Sequence, residues 1–223
     1  MIELIGLLAL GAWTTLDGVT VGQFMVSRPL VAGLLAGAVV GNPWAGALVG
    51  ALLELYLLAS VPSGGGRYPE PGPAGVVAGA GAAYVAEPGG MVLALGLGLV
   101  LGWLGSWLQA QQRERLGGLI SMALQRRLDA TIVTRAHLLG VGLDGLRGVV
   151  LTGVGLAAFG LLAPVLAPAW PLSAGVTWGV LVPGALVSVG IVARGLQGST
   201  HWWLFALGTG AGAIAGRWIL GGA

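Results

Sequence analysis

Long apolar runs alternate with short polar interruptions along this chain, and a bilayer core about 30 Å thick needs ~20 such residues per spanning helix. Four runs fit that length well: Gly90 to Leu108, Leu146 to Leu166, Leu172 to Ala193 and Trp202 to Leu220. Trp103, Trp107, Trp170, Trp178, Trp202, Trp203 and Trp218 fall mostly near their ends, as suits the headgroup region. Met1 to Leu16 is also apolar; it carries Glu3 in place of a basic leader and shows no processing site, so it is read as a retained membrane helix.

The stretch from Pro29 to Ser60 breaks the pattern. Pro29 to Gly41 and Pro43 to Ser60 are two apolar runs separated only by Asn42, and two full spans do not fit. A re-entrant hairpin over 29–60 does fit, in a place where protein or a water-filled cavity satisfies its backbone. Transporters build substrate sites from such broken elements. The run Pro62 to Pro73, rich in Gly and Pro, is expected to form turns and not to continue a helix, and Ala74 to Ala86 makes one short Gly/Ala-rich segment.

The predicted architecture is an all-α integral membrane protein of about six transmembrane helices plus a re-entrant helical hairpin. Residues 1–223 form one membrane domain: 1–86 as a core half with the hairpin, and 90–220 as a scaffold half. Within the scaffold half, Gln109 to Arg147 carries Arg113, Arg115, Arg126, Arg127, Arg135 and Arg147. The positive-inside rule puts this arm in the cytoplasm and the N-terminus outside. It is either an ordinary connecting helix or an amphipathic segment lying on the membrane or on a partner.

Composition narrows the class further. Of 223 residues, 56% are hydrophobic and only 8% charged, against roughly 25% in a soluble domain. The mean hydropathy is +0.92. The net charge of +2 comes from ten Arg and no Lys, scattered singly, so no basic face for nucleic acid exists. With no Cys there is no disulfide framework or thiolate metal site, and His137 and His201 are isolated. The 43 Gly recur at four-residue spacing, as in Gly18/Gly22, Gly37/Gly41, Gly46/Gly50 and Gly75/Gly79, which favours close helix packing.

Against this background the polar residues stand out. A carboxylate at membrane depth is costly unless it faces a partner or a polar cavity, so Asp17 reads either as a functional group or as an interfacial one. Glu54 lies within Gly50 to Leu58 with no cation in helical reach, on a face with the small residues Ala47, Gly50 and Ala51. It reads either as a ligand-binding carboxylate or as a salt-bridge partner of Arg28 or Arg67 on a neighbouring element. Sugars are held by carboxylates and amides beside aromatic surfaces, and Asp17, Gln23, Glu54, Tyr56 and Trp13 supply that chemistry.

The stretch Asp17-Gly18-Val19-Thr20-Val21-Gly22-Gln23-Phe24-Met25-Val26-Ser27-Arg28-Pro29-Leu30 resembles the N-terminal signature of IIC subunits of the mannose/fructose/sorbose phosphotransferase family. The likeness continues through Gly41-Asn42, where the family usually has Gly-Asp, through Gly50 to Leu55, and into Gly64-Gly65-Gly66 and Pro69-Glu70, where it usually has Pro-Asp. Pro62 stands where Asn is common, and Ser63, Arg67 and Tyr68 replace small apolar residues.

The resemblance implies an elevator-type permease of the bacterial cytoplasmic membrane. It implies an oligomer that pairs with a IID membrane subunit and served by soluble IIA and IIB subunits, which relay phosphate to a hexose through their own His residues. On that reading the chain is a conduit and not an enzyme, with no cofactor. Asp17, Gln23, Glu54 and Ser63 bind the substrate, while Arg28, Pro29, Asn42, Gly64, Gly65, Gly66 and Glu70 shape and gate the site. Two other readings stay open: a regulatory membrane subunit that has lost transport, and an ion-coupled transporter with Asp17 or Glu54 as a proton site.

Overall fold

The computed structural model describes residues 1–60, 67–124 and 130–195, together with Trp203. Among these residues the regular structure is helical: α1 (Ile2–Val19), α2 (Pro29–Val40), α3 (Pro43–Leu57), α4 (Pro71–Tyr84), α5 (Pro88–Leu124), α6 (Ala130–Leu166) and α7 (Ala174–Gly195). Four of them, α1, α5, α6 and α7, are long and apolar enough to cross a membrane. Together with the hydropathy they make this an all-α integral membrane protein.

Proline, glycine and asparagine punctuate the hairpin. Pro29 and Pro43 stand in the first turns of α2 and α3, where a missing N–H costs nothing. Gly41 ends α2 at φ 96°, a left-handed conformation that glycine adopts without strain, while the Asn42 N–H donates to Gly37 O at 2.8 Å. The Asn42 side chain then caps α3 by accepting from the Ala45 N–H at 3.2 Å. An Asp here would make the same bond, so the departure from the family pattern at this position leaves the turn intact.

Glycines let α2, α3 and α4 touch backbone to backbone. A Cβ on Gly33 would lie 2.6 Å from Gly46 O, one on Gly46 would lie 2.8 Å from Gly37 Cα, and one on Gly75 would lie 2.9 Å from Pro29 Cα. α4 is the centre of the bundle: every residue from Gly72 to Ala82 is buried. At 14 residues it spans roughly 21 Å, too short to cross the hydrocarbon core. It is tolerated at that depth because other helices surround it.

The run ending Pro71-Gly72-Pro73, expected to be irregular, instead opens α4. Both prolines sit in the first helical turn, where neither the absent N–H nor the fixed φ opposes the helix. The spans expected at Gly90 to Leu108 and Leu146 to Leu166 belong to α5 and α6, each 37 residues long and therefore continuous into the stretch read as an arm. Arg147, counted with that arm, is in fact buried within the bundle. Leu172 to Ala193 is α7, which begins at Ala174. The expected span Trp202 to Leu220 lies outside the described residues apart from Trp203.

α7 leans on α3 through two bonds, Tyr56 Oη donating to Leu181 O at 3.1 Å and Ser188 Oγ donating to Tyr56 O at 3.3 Å. Tyr56 is thus occupied in packing. Trp13 is half exposed on α1.

Candidate functional site

The segment between α1 and α2 folds back on itself. Gly22, Gln23 and Met25 all take positive φ, at 93°, 55° and 65°. For Gln23 and Met25 this is a conformation that side chains disfavour and that surrounding contacts must hold. The clamp is Asp17. Its buried carboxylate accepts the Phe24 N–H at 2.6 Å and the Ser27 N–H at 2.9 Å. Asp17 therefore supports the loop from within, and Gln23, exposed on that loop, does not converge on it.

Arg28, at the end of this loop, is the N-cap residue of α2, and Glu54 reaches it from the second arm of the hairpin. The guanidinium Nε donates to Glu54 Oε1 at 2.8 Å, and Nη2 donates to the same oxygen. Glu54 Oε2 accepts the Leu30 N–H at 3.1 Å, so the carboxylate also satisfies one orphan donor at the start of α2. Of the two sequence readings of Glu54, the ion pair with Arg28 is present in the structure. It leaves the pair partly open, with side-chain exposures of 52% for Arg28 and 20% for Glu54.

That opening is a cavity of about 430 Å³. The end of α1, the start of α2, the end of α3, the entry to α4 and one side chain of α5 enclose it. Its polar lining comes from Thr14, Thr15, Ser27, Arg28, Glu54, Ser60, Glu70 and Gln109, and Tyr68 supplies an aromatic wall. Of the residues singled out from sequence, Arg28, Pro29, Glu54 and Glu70 meet here. Asp17 acts one layer behind, and Gln23 and Asn42 are not part of the lining. Ser63, Gly64, Gly65 and Gly66 lie outside the described residues.

Behind the cavity lies a charged cluster that sequence reasoning did not assemble. Arg147 of α6 donates through Nε to Glu70 Oε2 at 3.0 Å and through Nη2 to Glu70 Oε1 at 3.4 Å. Its Nη1 donates to Asp144 Oδ1 at 2.8 Å and to Gln112 Oε1 at 2.5 Å. Asp144 is further held by Gln112 Nε2 at 2.9 Å and by Thr20 Oγ1 at 2.5 Å. Glu70, Asp144 and Arg147 are all buried. The one sequence signal was the presence of Asp144 and Arg147 three residues apart, hence on one helical face.

Comparison with known proteins agrees with this architecture. A family model described as the sorbose-specific IIC component of the phosphotransferase system matches residues 1–209. No curated protein matches the chain. Among solved structures, one described as a membrane protein is 18% identical with a TM-score of 0.72, over 99% of this chain and 92% of that one. The mannose transporter ManYZ, solved in complex with microcin E492, is also 18% identical, with a TM-score of 0.59 over 99% of this chain and 91% of that one. At such identities these two likenesses speak for the fold, and the family match speaks for the role. A chain matched over residues 1–209 of 223 belongs to the sorbose-type IIC family of the phosphotransferase system, the membrane subunit through which that system transports sugar.

Proposed function

We propose that the 430 Å³ cavity is the sugar site of this permease subunit and that Glu54 is its principal substrate acceptor. The observation that carries the reading is the meeting of Glu54, Ser27, Ser60 and Tyr68 in one cavity formed by the ends of short, broken helices. Its volume falls within the roughly 300–1,000 Å³ usual for small-molecule pockets. Glu54 engages Arg28 and Leu30 on one side and is not fully buried, so lone pairs remain for sugar hydroxyls. Tyr68 offers a ring surface for the C–H face of a pyranose.

On this reading Asp17 serves indirectly, holding the loop that carries Ser27 and Arg28 into the cavity. Ser63 assists in binding the sugar, and Gly64, Gly65 and Gly66 take part in gating, as the resemblance to the family implies. The sugar is a hexose, as the names of the family model and of ManYZ suggest for their own members. The chain works in a bacterial cytoplasmic membrane with a IID subunit, and soluble IIA and IIB subunits perform the phosphoryl transfer. Glu54 and the hairpin move with the sugar relative to the long helices α5 and α6, in an elevator-like displacement.

Equilibrium binding of labelled hexoses to the purified membrane complex tests this assignment. Glu54→Gln removes a charged acceptor, and hydrogen bonds to charged groups contribute about 1.5–3 kcal/mol, so affinity drops by roughly tenfold or more. Melting curves accompany the measurement because Glu54 also caps α2. Unchanged affinity in a folded Glu54→Gln protein removes Glu54 from the site, and binding without uptake moves the reading to a regulatory subunit.

A further inference from the structure

Among the described residues that line the cavity, one buried side-chain donor is left without a partner. Gln109 of α5 is 5% exposed, and its Nε2 has no hydrogen-bond acceptor among the described residues. A buried donor without an acceptor is costly, and native structures keep few of them, so each calls for a specific explanation.

The surroundings of Gln109 are built and not incidental. Gly102, Gly105 and Gln109 follow one another along one face of α5, spaced by single helical turns. The Glu70 N–H donates to Gly102 O at 2.8 Å, and a Cβ on Gly105 would lie 2.7 Å from Glu70 Oε2. The Pro69–Glu70 segment is thus seated directly on this stripe, and Gln109 is its next member, at the cavity wall. One turn further on, Gln112 is fully used: its Nε2 donates to Asp144, and its Oε1 accepts from Arg147. Two glutamines on neighbouring turns therefore differ in kind. One is tied into the protein, and the other, a residue of the cavity wall, keeps a buried donor without a partner.

The acceptors already in the cavity do not supply what Gln109 lacks. Both Glu70 oxygens take bonds from Arg147, and Glu54, engaged on one side by Arg28 and Leu30, does not accept from Gln109. The amide is thus free to donate to an oxygen that a ligand brings.

We propose that Gln109 is a substrate-reading residue whose amide donates to a hydroxyl or ring oxygen of the bound sugar. The inference rests on the cavity being the sugar site. It adds that a hexose is contacted from both parts of the chain, through Glu54 on α3 as acceptor and Gln109 on α5 as donor. A site that reads one oxygen in this way rejects the analogue lacking it, because the protein group is then left unpaired.

The test uses the chain in complex with its membrane partner subunit, with labelled mannose and sorbose and the single-position deoxy analogues of each. For the wild type, deoxygenation at the position read by Gln109 weakens binding by roughly three- to tenfold. Gln109→Met, close in shape and without a donor, lowers affinity for the parent sugar by that factor and binds that one analogue as well as the wild type does. Gln109→Glu, which exchanges the donor for an acceptor and serves should the Met variant fail to fold, gives the same loss of discrimination.

Loss of that single preference, with all others intact, supports the proposal, because a merely structural role would weaken every analogue alike. A folded Gln109 variant that keeps the wild-type deoxy profile overturns it and leaves the sugar site standing; a water is then the amide's partner. Absence of any hexose binding to the wild-type complex overturns both.

Discussion

Removing the guanidinium from the buried cluster is the sharpest test of how the bundle holds its charges. In Arg147→Met the apolar stem is kept and four donated hydrogen bonds are lost, two to Glu70, one to Asp144 and one to Gln112. The two carboxylates do not suffer equally. Asp144 keeps Thr20 and Gln112 as donors, whereas among the described residues both side-chain bonds accepted by Glu70 come from Arg147. Glu70 is 4% exposed, so water does not replace what is lost.

Breaking a buried ion pair by deleting one partner costs about 3–5 kcal/mol, chiefly the penalty of the stranded charge. In a chain of 150–250 residues each kcal/mol lowers Tm by about 2–4 °C, so Arg147→Met melts roughly 6–20 °C below wild type. Thermal unfolding of the detergent-solubilised protein, followed by tryptophan fluorescence, reads this directly. If the stranded charge is the cause, Glu70→Gln in the Arg147→Met background restores part of the loss, with a coupling of about 0.5–3 kcal/mol. A single variant melting within ~2 °C of wild type, or a double variant whose losses simply add, refutes the argument.

Glycine packing and the loop clamp give two further expectations. Gly46→Ala drives a methyl group into the Gly37 backbone and destabilises by about 1–3 kcal/mol, whereas Gly96→Ala, with nothing within 4 Å, leaves the melt unchanged or slightly raised; equal melts for the two variants count against the close α2–α3 approach. Asp17→Ala strands the Phe24 and Ser27 amides, and hydrogen exchange across residues 20–28 rises by roughly tenfold or more while that of α4 is unchanged; an unaltered loop shows that Asp17 is not its clamp.

Much of the helical layout is written in local signals. Pro29, Gly41, Asn42 and Pro43 delimit the hairpin because each acts within a turn of its own position. The four long apolar runs fix membrane embedding for a similar reason, since hydropathy adds up along the chain. The rule that places Arg-rich stretches in the cytoplasm counts charges by sequence window, however, and it swept up Arg147, whose partner Glu70 is 77 residues away.

The same limit governs the site. Isolation in sequence made Glu54 conspicuous, yet in the fold it meets Arg28, 26 residues away. Asp17 was conspicuous for its depth, and it is consumed by the loop that follows it, through backbone angles no periodicity announces. Gln109 drew no notice, because a glutamine at the end of an apolar run reads as the edge of a span. In the fold it is buried, one turn beyond Gly102 and Gly105, on which the Pro69–Glu70 segment is seated. A polar residue without a partner in sequence is therefore a poor guide to function in this chain. A polar residue still without one after folding is the better guide, and among those lining the cavity Gln109 meets that condition.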